Sequence, residues 1–226
     1  MDMHFKRIFI LALTMSASAM SFAQEALGEF SKIRVQGRIE LSIKYGQPKG
    51  ISVNADDNLK QAVQYSVADG CLDIKAQQAI PRGTMVVAVV SCPTISEIEI
   101  GGGARCFNSG TIKEPTLTLI AGAATEFDLL VDIDSASVKV MRGGFARLTG
   151  NARSAYIKTS TGGSYVADEM DCKTLVADMN GGGIARVKVS ETINANLAPK
   201  ARMIYVGSPK IIETETSKGE ITNEED

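Results

Sequence analysis

Two groups of acidic side chains are the first candidates for chemistry in this 226-residue chain. In Phe127-Asp128-Leu129-Leu130-Val131-Asp132-Ile133-Asp134 the three aspartates stand at even spacings. On a β-strand they project from one face, where carboxylates can hold calcium or divide acid and base roles. Asp168, Glu169 and Asp171 form a second group. The same patterns describe a wet strand face running into a turn. A polysaccharide lyase or hydrolase rests here on fold analogy alone. The only histidine, His4, lies in a segment that reads as a removable leader. A chain without imidazole cannot build a Ser/His/Asp or Cys/His centre or a His-ligated zinc site. The expectation is a protein that is not an enzyme and takes no metal and no cofactor.

Glycine clusters raise a second possibility. Gly101-Gly102-Gly103, Gly122, Gly143-Gly144, Gly162-Gly163 and Gly181-Gly182-Gly183 recur about every 20 residues. A phosphate cradle needs such a loop to lead into a helix N-terminus with a lysine at the right offset. Here each cluster leads into a β-rich run, so the glycines read as corners that require positive φ or close backbone approach.

Four cysteines, Cys71, Cys92, Cys106 and Cys172, are an even count that suits two disulfides in an oxidising compartment. Three connectivities are open. Antiparallel pairing of the strands Cys71 to Ala76 and Met85 to Cys92 would join Cys71 with Cys92, leaving Cys106 with Cys172. Buried free thiols are the alternative. No CxxC spacing suggests redox or zinc chemistry. Lys139, Arg142, Arg147, Arg153, Lys158, Arg186 and Lys188 fall on outward positions of the repeat, and Arg142, Arg147 and Arg186 are the candidate binding stripe among them. Ordinary solvated sheet surface is the simpler reading.

The elements that would position these residues follow from pattern. Lys6 and Arg7, an apolar run from Ile8 to Met20, and Ser21-Phe22-Ala23 make residues 1–23 a signal peptide, with a retained anchor as the alternative. The run is short for a membrane span, and no later segment replaces it, so the mature chain has no expected span. Export follows, to the periplasm, the cell surface or the medium. The net charge is −2, or about −3 without the leader, and the basic residues are scattered, so a nucleic-acid partner is excluded. The absence of tryptophan argues against stacking platforms.

Residues 24–97 read as the less regular, β-rich N-terminal portion: Ile33-Arg34-Val35, Ile39 to Ile43, Ile51-Ser52-Val53 and Leu72-Asp73-Ile74 alternate with period two. Asp56 to Tyr65 reads as a helical turn or short helix, N-capped by Asp56 or Asp57, that caps one end of the stack. Residues 98–212 are the regular repeat, with Ala121, Ala123, Ala146, Ala152, Ala155, Ala177 and Ala185 filling a narrow interior. Residues 213–226 read as an acidic C-terminal tail. The fold class is all-β: a parallel β-helix or solenoid with about 20 residues per coil.

The opening Phe30-Ser31-Lys32-Ile33-Arg34-Val35-Gln36-Gly37 with Ile39 to Ile43, the segment Cys92-Pro93-Thr94-Ile95-Ser96-Glu97-Ile98-Glu99-Ile100-Gly101-Gly102, and the closing Val206-Gly207-Ser208-Pro209-Lys210 carry a family resemblance. Together they resemble the head GIN domain family of putative auto-transporter adhesins, common in Bacteroidetes, over roughly residues 29 to 212. That resemblance implies a right-handed parallel β-helix in the cell envelope and transfers no functional residue. The expected function is a non-catalytic scaffold presenting its surface to an envelope glycan or protein. The alternative is a structural protein that pairs with copies of itself as a homo-oligomer.

Overall fold

The computed structural model describes residues 27–84, 86–216 and 218–224. The expected signal peptide, 1–23, lies outside them. The described chain winds a β-solenoid of about seven turns at roughly 19-residue spacing.

The coil is clearest where it is most regular. β1 (Lys32–Gln36), β2 (Glu40–Tyr45), β3 (Gly50–Asn54), the helical turn α1 (Asp57–Lys60), β4 (Val63–Ala68), β5 (Cys71–Ala76) and β6 (Val87–Cys92) precede the regular part. There follow β7 (Glu97–Gly101), β8 (Arg105–Ser109), β9 (Thr116–Ala121) and the long strands β10 (Glu126–Met141), β11 (Phe145–Ser160), β12 (Ser164–Met179) and β13 (Ile184–Leu197). In β10, Phe127, Leu129, Val131 and Ile133 are buried, then the phase slips at Asp134-Ser135 and Ala136, Val138 and Val140 are buried. That slip turns a corner without leaving the ladder. One strand thereby serves both faces of the solenoid: its first half pairs with β8 and its second half with β9.

At the opposite side a tight turn returns the chain. Arg142 and Gly143 both have positive φ, 52° and 71°, the combination of a type I′ turn. Gly144 has a different reason to be glycine: a Cβ there would lie 2.6 Å from the carbonyl oxygen of Gly122 in the coil below.

Interior rows follow from parallel register. Phe127, Ala146, Tyr165, Ala185 and Met203 stack in one row, all buried, with large and small side chains alternating. The interior is therefore not uniformly narrow. Ala123, expected inside, is exposed in a turn. Tyr165 is fully buried, and its hydroxyl has no hydrogen-bond partner among the described residues. Loss of solvent, with a smaller contribution from Cys172, drives its pKa up and keeps it protonated.

The N-terminal portion departs from a simple march. β1 lies between β5 and β7, and β2 between β6 and β8, all in parallel. The first coil in sequence is thus second in space. β3 and β4 lie outermost, antiparallel to β6 and β5, and α1 joins them while burying Leu59. Of the helical turn or short helix expected over Asp56 to Tyr65, the turn Asp57–Lys60 forms, and Val63 opens β4 instead. Two reversed strands, with α1 between them, cap this end.

At the other end, β14 (Arg202–Val206), β15 (Ile211–Thr216) and β16 (Glu220–Asn223) continue both faces in parallel. Most of the expected acidic tail is therefore strand, because Ile212 and Ile221 fall in register with buried Ile193 and Met203.

Replacing Tyr165 with Phe removes an unsatisfied buried hydroxyl while keeping the ring's packing. The expected outcome is a rise in stability of about 1 kcal/mol or more, read by thermal or denaturant unfolding; an equal loss would mean that the hydroxyl is satisfied.

Candidate binding groove

The outer surface is organised by the same register as the core. Lys32 meets Glu97 at 3.8 Å, Arg34 meets Glu99 at 2.9 Å, Arg105 meets Glu126 at 3.2 Å and Arg202 meets Glu220 at 3.2 Å. In each pair the partners are register neighbours in adjacent strands. Positions one coil apart lie about 4.8 Å from each other, so opposite charges at equivalent positions meet without special geometry.

The basic residues singled out from sequence are largely absorbed by this pattern. Lys158 meets Asp178 at 3.0 Å, and that hydrogen bond raises the lysine's pKa. Arg186 is held at 2.5 Å by Asp168 and at 2.5 Å by Glu224; the hydrogen bond to Asp168 is the main cause of its raised pKa. Arg147 and Arg186 share one outward row, with Val166 between them and Asp128 next to Arg147. Arg147 also stands over the ring of Phe145, 5.7 Å from its centroid. Arg142 sits in the tight turn after β10. The geometry brings Arg147 and Arg186 into one row and leaves Arg142 outside it.

The carboxylate groups fare similarly. Asp128, Asp132 and Asp134 all point outward, as their even spacing requires. Lys113 approaches Asp132 at 3.6 Å and Arg153 approaches Asp134 at 2.6 Å. Asp168 is taken by Arg186, and Asp171 by Lys188 at 2.9 Å. Among the described residues no group of three His, Cys, Asp or Glu could hold a metal ion.

All four cysteines are free thiols, so the two expected disulfides are corrected. β5 and β6 do not pair; each lies between other strands, so Cys71 and Cys92 are not brought together. Cys106 and Cys172 lie on β8 and β12, with β10 and β11 between them, a separation on the order of 14 Å along the ladder. Burial pushes Cys92 and Cys172 up to about 11 and raises Cys106 further, with the half-buried Cys71 raised less.

One surface feature crosses several coils. On the corner side, β10 to β13 line a groove of about 460 Å³. Its floor is the row Ile133, Ala152, Cys172 and Val189, each buried. One wall is the row Asp132, Asn151, Asp171 and Lys188. Arg153, Lys173 and Ser190 line the other side. Lys173 meets Glu191 at 3.2 Å, so each cation in the lining already has a carboxylate. The result is an electrically balanced trough with an apolar bottom, able to hold a segment laid along the solenoid axis. Irregular register shapes it: shifts between Arg147 and Gly150 and between Ala167 and Asp171 change the coil length beside the groove. Gly207 closes one end, where a Cβ would lie 2.6 Å from the carbonyl oxygen of Val189.

A hollow of about 540 Å³ lined by Lys44, Tyr45, Lys49, Ser91 and Ser109 is larger, but has no comparable apolar floor. Lys49 is held there by Glu29. Sequence reasoning found Asp132 and Asp171 as carboxylates and missed the groove. The available signal was the corner position itself, which recurs once per coil.

Comparisons with known proteins agree with this architecture. The family model described as "Putative auto-transporter adhesin, head GIN domain" matches residues 29–209. A solved structure of a putative adhesin from Bacteroides fragilis superposes with a TM-score of 0.77 at 19% identity, covering 88% of this chain and 94% of that one. A putative adhesin from Parabacteroides merdae has a TM-score of 0.61 at 17% identity, covering 88% and 93%. A structure named a putative lipid binding protein, from Parabacteroides distasonis, has a TM-score of 0.64 at 15% identity, covering 88% and 94%. No curated protein matches the chain.

With no disulfide and three thiols buried, a thiol reagent at about pH 8 should titrate only Cys71 in the native protein. All four cysteines should react after unfolding without reductant. A denatured count of zero or two would restore cross-links.

Proposed function

The chain belongs to the family of the auto-transporter adhesin head GIN domain, and on that premise we propose that it is a non-catalytic, exported cell-envelope scaffold that holds a glycan or protein partner on its solenoid surface. The observation that carries the proposal is the groove over β10 to β13. It departs from the ion-paired rows around it by offering a continuous apolar floor.

The balanced lining suits an uncharged segment better than a polyanion, since a polyanion would have to displace the carboxylates that hold Arg153, Lys173 and Lys188. Arg147 and Arg186 form a secondary contact row for acidic groups, with Arg142 apart from it in the turn after β10; Arg142 and Arg147 are the more available because Arg186 is doubly engaged. The neighbour named as lipid binding adds acyl chains to the ligands worth testing, given the apolar floor.

Export is supported by the basic, apolar and small-residue order of residues 1–23. The neighbours' sources, Bacteroides and Parabacteroides, suit the same envelope setting. No helix among the described residues is long and apolar enough to cross a membrane. A second reading, assembly with copies of itself, is favoured by one observation: the outermost strands at both ends have a free edge among the described residues.

Asn151 is exposed on the groove wall, and among the described residues no side-chain hydrogen bond involves it. Asn151→Trp should block the trough and reduce capture of glycans, envelope proteins or lipid vesicles by at least about tenfold, or about 1.4 kcal/mol. Arg142→Ala with Arg147→Ala should alter only acidic ligands. Unchanged binding in the tryptophan variant would remove the groove from the proposal.

A further inference from the structure

The two ends of the solenoid are complementary to each other. At the N-terminal end, β4 and β3 are the outermost strands of the two faces, and both run against the coil direction. At the C-terminal end, β15 and β16 are outermost on the same two faces, and both run with it. Stacking one copy on another head to tail therefore sets β15 antiparallel to β4 and β16 antiparallel to β3. Both contacts obey the same polarity at once.

Inward side chains at these edges lack the covering coil that their rows otherwise have. The row Leu117, Ala136, Ala155, Leu175 and Ile193 is buried until its last member, Ile212, which is 44% exposed. Tyr65, in register with buried Ile74, is 45% exposed at the other end. Val67, Ile51 and Val53 are inward and half-buried there. α1 buries Leu59 between β3 and β4 and leaves both outer edges unpaired.

We infer that the chain associates head to tail with a second copy of itself, β15 of one copy pairing with β4 of the next and β16 with β3. In the register we infer, Ile212 lies opposite Val67, Thr214 opposite Tyr65 and Ile211 opposite Ala68, one two-residue step from the straight continuation of the columns. Glu213 then faces Ser66, and Glu215 faces Gln64. On the other face Ile221 meets Val53, Glu220 meets Asn54 and Thr222 meets Ser52. Inside, Ile212 faces Val67 and Ile221 faces Val53, while Thr214 and Asn223 face Tyr65 and Ile51; each of the three glutamates faces a neutral polar group. Tail-to-tail contact would instead gather Glu213, Glu215 and Glu220 of both copies, where like charges oppose pairing. Charge thus disfavours tail-to-tail contact, and the head-to-tail arrangement extends and does not close.

This inference rests on the self-assembly reading, and complementary end variants separate the two. In sedimentation velocity at rising concentration the purified protein should form species larger than a dimer. Ile212→Glu spoils the tail and Tyr65→Glu spoils the head; both residues are exposed, so thermal melts should match the parent. Each variant alone should stay monomeric, and an equal mixture should form dimers and nothing larger, since one working head meets one working tail. Gln64→Lys, opposite Glu215, should tighten association a few-fold and Gln64→Glu should weaken it a few-fold. A parent protein that is monomeric throughout overturns both the inference and self-assembly. Dimers formed by either variant alone, or a mixture that remains monomeric, overturn the head-to-tail register while self-assembly of the parent stands.

Discussion

Everything in this molecule depends on one repeated interaction, the parallel backbone ladder that joins each coil to the next about every 4.8 Å. The ladder satisfies main-chain donors and acceptors between strands, and it forces residues at equivalent positions to lie on top of one another. A position is therefore a row. Phe127 can be large because Ala146 above it is small, and Tyr165 can be larger still because Ala146 and Ala185 flank it. Close approach of coils also explains the second glycine of a turn: at Gly163 a Cβ would stand 2.2 Å from the carbonyl oxygen of Val140.

The same constraint makes the exterior electrically quiet. Exposed ion pairs each contribute roughly 0–1 kcal/mol, so the pairs such as Arg34 with Glu99 and Lys188 with Asp171 do not hold the coils together. They neutralise rows. Where cations are answered one coil away, little long-range field is left to attract an acidic partner. Recognition then falls to shape, and the corner groove is a place where the shape changes. Its floor is apolar because the buried row Ile133, Ala152, Cys172 and Val189 underlies it where the chain turns, and Ala152 is small.

The regular coils were legible because their information is local. Each tight turn announces itself in glycine, and each strand half in period-two burial. The first six strands were not legible in the same way. Ile33-Arg34-Val35 carries nothing that says it will lie between Leu72-Asp73-Ile74 and Ile98-Glu99-Ile100, since its partners are set by distant pairing. Leu59 and Val63 at helical spacing point to a helical turn or short helix within Asp56 to Tyr65, and both are buried. Val63 nevertheless begins β4, because alternation with Tyr65 and Val67 lets it pair with β5. The disulfide between Cys71 and Cys92 fails for the same reason: it needs β5 and β6 to be neighbours, and they lie on different faces, β5 between β1 and β4 and β6 between β2 and β3. For the groove, the wall residues are unremarkable one at a time. Bulges shift their spacing from coil to coil, so a strict 20-residue period does not align Asp171 with Lys188.

Low identity to structures of the same shape follows from this division between ladder and rows. A coil needs inward residues of suitable volume, glycine where coils meet closely, and alternation; many sequences meet these demands. Outward residues touch none of them, apart from loosely matched charges. At 15–19% identity the neighbours can therefore share the solenoid while sharing little of its surface. Whatever this chain binds must accordingly be read from its own exposed rows. Those rows are not equivalent: most are balanced pairs on flat strands, the corner row is a trough, and the last rungs leave apolar side chains uncovered. A partner that needs area and apolar contact has the trough and the two ends to choose from, and the flat faces between them offer mainly paired charge.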